Sequence, residues 1–210
     1  MGVSSSPRDD APDQARVANQ RADAQRNRAS ILVAAPRALR RNPEASVAEI
    51  AAEAGLGRMT VYGHFKTRAE LIDAAVIESL GRGEDILAQV PLDGPPAEAF
   101  GRLIESSWTL LNEARGLLAA AQKELPSERV RELHAKAEAR VRGILERGQQ
   151  EGVFRTDLPI HWLLTTTHVV MNAAADEVVA GLVTSEDASR LIIAVLQPAI
   201  AAAPGREQQR

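Results

Sequence analysis

The chain has 210 residues, 45% of them apolar but only 3% aromatic, with no cysteine and a formal net charge of −3. That length buries a core in one or two domains, and the missing thiols exclude a disulfide framework or a thiolate metal site. No apolar run reaches the roughly 18 residues of a membrane span and the N-terminus lacks the apolar core of a secretory signal, so a cytoplasmic protein with no membrane partner is expected. Alanine, leucine, valine, arginine and glutamate dominate, and the apolar positions recur at helical spacing, which predicts an all-α fold of about nine helices.

The charge is unevenly spread. Residues 14 to 68 hold ten Arg or Lys against four acids, a balance of +6, whereas residues 69 to 210 carry 14 bases against 21 acids, or −7. A basic head on an acidic body is the distribution that a DNA-binding module joined to a body of other function would need.

Residues 1–25, polar and without apolar periodicity, read as a disordered arm. A helix is expected from Asn27, with Ile31, Leu32, Ala35, Ala38 and Leu39 on one face, kinked at Pro36 and ended before Pro43. Ser46 and Glu49 then form a capping box that opens a short helix carrying Val47, Ile50, Ala51 and Ala54 inward and stopping at Gly55. After a tight turn, Gly57 caps a second short helix over 58–64, and Thr67 with Glu70 repeats the capping box ahead of a long helix through Leu71, Ile72, Ala75, Val76 and Leu80.

Two short helices around a glycine turn make a helix-turn-helix, whose second helix enters the major groove. Val61 and Phe65 share that helix's inner side, leaving Arg58, Met59, Thr60, Tyr62 and Gly63 around the rest. Arg58 and Thr60 are candidates for base edges, Tyr62 for a phosphate, and Gly63 leaves bare backbone for a close groove wall. Arg21, Arg26 and Arg28 read either as an arm onto phosphates or a minor groove, or as a basic tail with no fixed contact.

The stretch "VAEIAAEAGLGRMTVYGHFKTRAEL" resembles the N-terminal domain of TetR-type transcriptional repressors, whose pattern A-x-x-A-G-[VL]-x-x-x-T-[VL]-Y-x-H-F-x-x-[KR]-x-x-L it follows throughout. The specific match covers residues 28 to 76, and "GVFRTDLP" (152–159) is similar to a segment many members carry before their eighth helix. The resemblance implies DNA contacts, chiefly to the backbone, at Thr60, Tyr62, His64 and Lys66, with Val47 beginning the supporting helix. Gly57, where the family often has Ser, and Pro36 inside the first helix depart from the pattern. The implied organisation is a head over 26–73, a helical effector-binding and dimerisation body over 74–203, and a disordered tail over 204–210.

In the body, helices are expected over 97–113, 115–124, 127–150, 159–180 with Asp157 as N-cap, and 185–202 capped by Thr184 with Asp187. The last two offer apolar faces, Leu163, Val170, Met171, Ala174 and Val178 on one and Ala188, Leu191, Ile192, Val195, Leu196 and Ala199 on the other, expected to close a four-helix bundle with a second subunit. His161, Thr165, His168, Asn172 and Asp176 align beside them as a polar stripe that either lines a ligand cavity, lies at the dimer rim or holds a metal. The two imidazoles stand two turns apart, roughly 10 Å, too far for one ion without long side-chain convergence, so no metal or cofactor is expected. Phe100, Ile104, Trp108, Leu111 and Leu118 would wall a pocket, and His134 is expected to be exposed.

No catalytic constellation emerges, and an enzyme reading would rest on His161 and His168 alone. A dimeric ligand-binding module with weak or no DNA binding is a further alternative. The expectation is a homodimeric, non-enzymatic transcriptional regulator, a repressor released from its double-stranded DNA operator by a small-molecule effector.

Overall fold

The computed structural model describes residues 11–203. Eight helices lie among them: α1 (Ala11–Arg41), α2 (Val47–Glu53), α3 (Arg58–His64), α4 (Arg68–Leu87), α5 (Pro96–Glu124), α6 (Ser127–Gln150), α7 (Ile160–Val179) and α8 (Ser185–Ile200). The one β-type pairing among these residues is an isolated antiparallel bridge, Phe154 to Ala201, that clips the loop after α6 to the end of α8. No helix among them is long and apolar enough to cross a membrane.

Two clusters of buried side chains organise the molecule. The first joins Ile31, Leu32 and Leu39 of α1 to Ile50, Val61, Phe65, Leu71 and Ile72, and makes the head. The second joins Phe100, Ile104 and Trp108 of α5 to Ile144 and Leu145, Leu163 and Met171, and Ile192 and Leu196, and makes the body. α5 belongs to both, because its later residues Leu117, Ala120 and Ala121 sit in the head cluster. The close approach depends on Gly116, where a Cβ would collide with the Leu39 carbonyl and the Arg40 nitrogen of α1.

Polar ties reinforce that joint. Arg68 at the start of α4 donates to the Ala45 and Pro43 carbonyls at 3.0 and 3.1 Å and pairs with Glu124 at the end of α5. Arg129 of α6 makes a two-pronged contact with Asp73 of α4, its Nε and Nη2 donating at 2.7 and 3.1 Å, and Arg140 Nη2 reaches both oxygens of Glu84 at 2.9 and 3.0 Å. A fork-to-fork pair such as Arg129 with Asp73 fixes orientation as well as distance. Lys136, first, and Arg140 together hold the Glu84 carboxyl below its ordinary value.

The structure departs from the expected elements at three places. α1 starts at Ala11, well before Asn27, and continues through Pro36 to Arg41. Residues 11–25, expected in a disordered arm, are thus helical; Ala, Gln and Arg favour helix without an apolar stripe in the sequence, which is why periodicity does not reveal it. Residues 1–10 of that arm, and the tail over 204–210, lie outside the described residues. The helices expected over 97–113 and 115–124 are one, since nothing between them is a breaker. Asp157 does not cap α7, whose N-cap is Pro159; its carboxylate instead takes the Arg155 fork at 2.8 and 2.7 Å, which holds the acid below its ordinary value.

Candidate nucleic-acid interface

The head places α3 by local chemistry on either side of it. Ser46 Oγ accepts from the Glu49 N–H at 3.3 Å while the Glu49 carboxylate accepts from the Ser46 N–H at 2.7 Å, so the expected capping box is complete. These Ser46 contacts also hold the Glu49 carboxyl below its ordinary value. Gly55 turns the chain with φ of 68°, a conformation open to glycine at little cost. At the other end Thr67 Oγ1 accepts from the Glu70 N–H at 3.1 Å, but the Glu70 carboxylate takes the Lys66 N–H at 2.8 Å, so this second box closes one residue early.

Between these anchors α3 is pinned on one side only. Val61 and Phe65 are buried, Phe65 lies beneath the Arg28 guanidinium at 5.2 Å, and the opposite side carries Arg58, Gly63 and Met59, the last 79% exposed. Thr60, Tyr62 and His64 are half-buried along the edges, and Lys66 just beyond the helix is exposed. Arg58 lies over the Tyr62 ring, 5.3 Å from its centroid, and donates to the Tyr62 hydroxyl at 3.4 Å. Stacking of this kind holds a long guanidinium at the helix surface. α3 carries Arg58 and no acidic residue, so its open side presents positive charge of the sign that phosphates attract.

Val47 is the exception among the residues expected at this surface. Its side chain is buried with Ile50 and Ala51, because it lies on the inward stripe of α2.

The body residues sort differently from the sequence expectation. Phe100, Ile104 and Trp108 are buried core of the body, and Trp108 Nε1 donates to the Ser185 carbonyl at 2.9 Å. Leu111 packs on that core, half-buried, whereas Leu118 packs on the head cluster and so cannot wall a pocket with the others. His161, Thr165, His168 and Asn172 are exposed, as is Asp176, and therefore line no closed cavity in this subunit. His168 faces Glu138 and His134 of α6; although its ring meets solvent, desolvation pushes it below its ordinary value, against the raising effect of Glu138. His134 is half-buried rather than exposed, with Nδ1 2.8 Å from the Val130 carbonyl. Among the described residues no three His, Asp or Glu side chains gather where they could hold a metal ion.

Most of the expected dimer residues turn inward. Leu163, Met171, Ala188, Ile192 and Leu196 are buried within the subunit, and Val170, Ala174, Val178 and Ala199 are half-buried. Only Leu191 and Val195, at 39% and 56% exposure, stay on the outside, where they are joined by Trp162 at 55% and Val169 at 60% on α7. Trp162 and Val169 are not among the residues expected there; their spacing of seven puts them on one side of α7 but does not say that this side stays open.

Residues 31–75 match the family model of the bacterial regulatory proteins of the tetR family. The whole fold is similar to solved structures: the transcriptional regulator FadR from Bacillus subtilis in complex with stearoyl-CoA, at 20% identity over 81% of this chain and 98% of that one with a TM-score of 0.65; the TetR-like regulator LfrR from Mycobacterium smegmatis in complex with proflavine, at 22% identity over 85% and 98% with a TM-score of 0.67; and a TetR family transcription regulator from Marinobacter aquaeolei VT8, at 20% identity over 88% and 100% with a TM-score of 0.64. No curated protein matches the chain.

Proposed function

We propose that this chain, with a TetR-type helix-turn-helix head on a TetR-like helical body, is a DNA-binding transcriptional regulator that represses until a small molecule enters its body. The observation that carries the reading is α3, braced from behind by Val61 and Phe65 and open in front at Arg58, Met59 and Gly63. Arg58 offers paired donors to a guanine edge, the Thr60 methyl suits a thymine methyl, and the Tyr62 hydroxyl with Lys66 suits phosphates.

One head supplies too few contacts for a genomic site, and two heads must stand about 34–36 Å apart to meet successive major grooves. The exposed apolar side chains Trp162, Val169, Leu191 and Val195 on α7 and α8 supply the surface for a second copy. Val169→Glu with Val195→Glu is expected to give monomers in light scattering, with the helical circular dichroism of each subunit kept. Dimers that persist in this double variant would remove the assigned interface.

The stearoyl-CoA and proflavine complexes of the two neighbours support an effector for this body, for which the layer of α5, α6 and α7 is the proposed place. Phe100, Ile104 and Trp108 fill that layer here, so an effector must displace packed side chains. The displacement reaches the head because α5 is one rod shared by both cores, joined to α1 at Gly116. An effector shifts the equilibrium only by its differential affinity for the two head spacings.

Mobility-shift titration against the DNA upstream of the protein's own gene tests the function. Tyr62→Phe and Arg58→Gln should each weaken binding several-fold, while Tyr62→Ala weakens it further, with body helicity retained. If wild type and these variants shift the duplex equally, α3 is not the reading element. A small-molecule library that never changes the shift would leave a constitutive DNA-binding protein.

A further inference from the structure

We propose that the N-terminal part of α1, from Ala11 to Arg28, is a second DNA-contacting element, in which Arg21 grips a phosphate beside the groove that α3 enters; this rests on the regulator reading above. α1 is 31 residues long, yet from Ala18 to Ser30 none of its residues is buried, and burial begins at Ile31. The helix therefore projects from the head by more than three turns at about 1.5 Å per residue.

The direction of that projection follows from one stripe. Ile31, Ala35 and Leu39 face the head core, and continuing the same side backwards by steps of three and four gives Arg28, Ala24 and Arg21. Arg28 stands over the ring of Phe65, the residue that ends α3. Beyond Arg28 the head has run out, and the stripe that was isoleucine and leucine becomes alanine and arginine. The overhang thus leaves the head at the C-terminal end of α3, next to His64 and Lys66, with Arg21 about 10 Å further along the axis.

The charge on the overhang suits one occupant. Arg16, Arg21, Arg26 and Arg28 stand against two acids in this stretch, Asp13 and Asp23, a balance of +2, and Asp23 is paired with Arg26. Among the described residues Arg21 makes no ion pair and is exposed. From Ala18 to Arg28 the overhang carries no apolar side chain larger than alanine and so has little to bury against a protein surface, whereas DNA seated on α3 would offer phosphates to its arginines. Arginine forks pair readily with phosphate.

The electrostatic part of DNA binding has its own readout, the slope of log affinity against log salt, whose steepness grows by about 0.9 for each phosphate that the protein neutralises. The full-length protein is titrated by fluorescence anisotropy onto two labelled duplexes, its own upstream DNA and a random sequence, over a series of salt concentrations. Arg21→Gln, whose helix propensity is close to that of arginine, should keep the far-ultraviolet circular dichroism. It should flatten the slope by about 0.9 per subunit on both duplexes, with Arg21→Lys restoring it. Arg131→Gln, an exposed change on the body, should leave the slope alone. An unchanged slope in Arg21→Gln, with wild type binding DNA, overturns this inference and spares the regulator reading. Wild type that binds neither duplex overturns both.

Discussion

The head and the body are built from the same kind of amphipathic helix, yet they differ in how many surfaces each helix must serve. In the head, α2 and α3 each bury one stripe and leave the rest to solvent, so Val61 and Phe65 stand inside and Arg58 and Met59 outside. In the body, α7 and α8 bury one side within the subunit and leave a second apolar side exposed, so Met171 and Ile192 are core while Val169 and Val195 are not. A helix with one apolar side can be oriented from its sequence; a helix with two cannot, because hydrophobicity does not say which neighbour covers which side.

Substitutions that separate the two regions test this contrast, and the largest effect is expected in the head. Phe65→Ala removes the ring that α1, α3 and Arg28 pack around and should cost about 3–5 kcal/mol, read as early unfolding of the head in denaturant melts. An equal loss across the whole molecule would mean that head and body unfold as one unit. Next is the joint: Gly116→Ala drives a methyl into the Leu39 carbonyl, and the backbone there cannot yield as a side chain would. Overpacking of this kind should cost about 1–3 kcal/mol and loosen the head on the body, visible as faster hydrogen exchange in both α1 and α5.

A smaller loss is expected from Glu84→Gln, which leaves Arg140 and Lys136 without their carboxylate partner. Because the pair is partly open to solvent, about 1–2 kcal/mol is expected in the same melts. The Glu84 carboxyl is held low in the folded protein, so its contribution is present above the ordinary value of 4.5 and is lost as pH falls through the depressed one. The smallest effect concerns His168. Burial lowers its folded value below 6.5, so the unfolded chain takes the proton first and stability falls as pH drops below about that point. His168→Gln should flatten this acid-side decline in melting temperature; an unchanged pH profile would show that the ring is not desolvated.

Legibility follows the same division. The Ser46 and Glu49 box, the Gly55 turn and the inward pair Val61 and Phe65 are readable because each is set by residues a few positions apart. The N-terminal half of α1 is not, since its helix arises from propensity with no packed face to mark it. The division of Leu163, Met171 and Ile192 from Trp162 and Val169 is out of reach for a different reason: it depends on how α5, α6, α7 and α8 rotate against one another, which only the assembled core decides. Val47 is misplaced when the start of a supporting helix is treated as a side-chain contact.

Site-specific photo-crosslinking tests the central claim most directly. A photoreactive phenylalanine analogue is placed at Met59 on α3 or at Ile86 on α4, both exposed apolar positions, and each protein is irradiated with its own upstream duplex. If α3 enters the groove, a DNA adduct forms from position 59 and none from position 86. Adducts from 86 with none from 59 would contradict it.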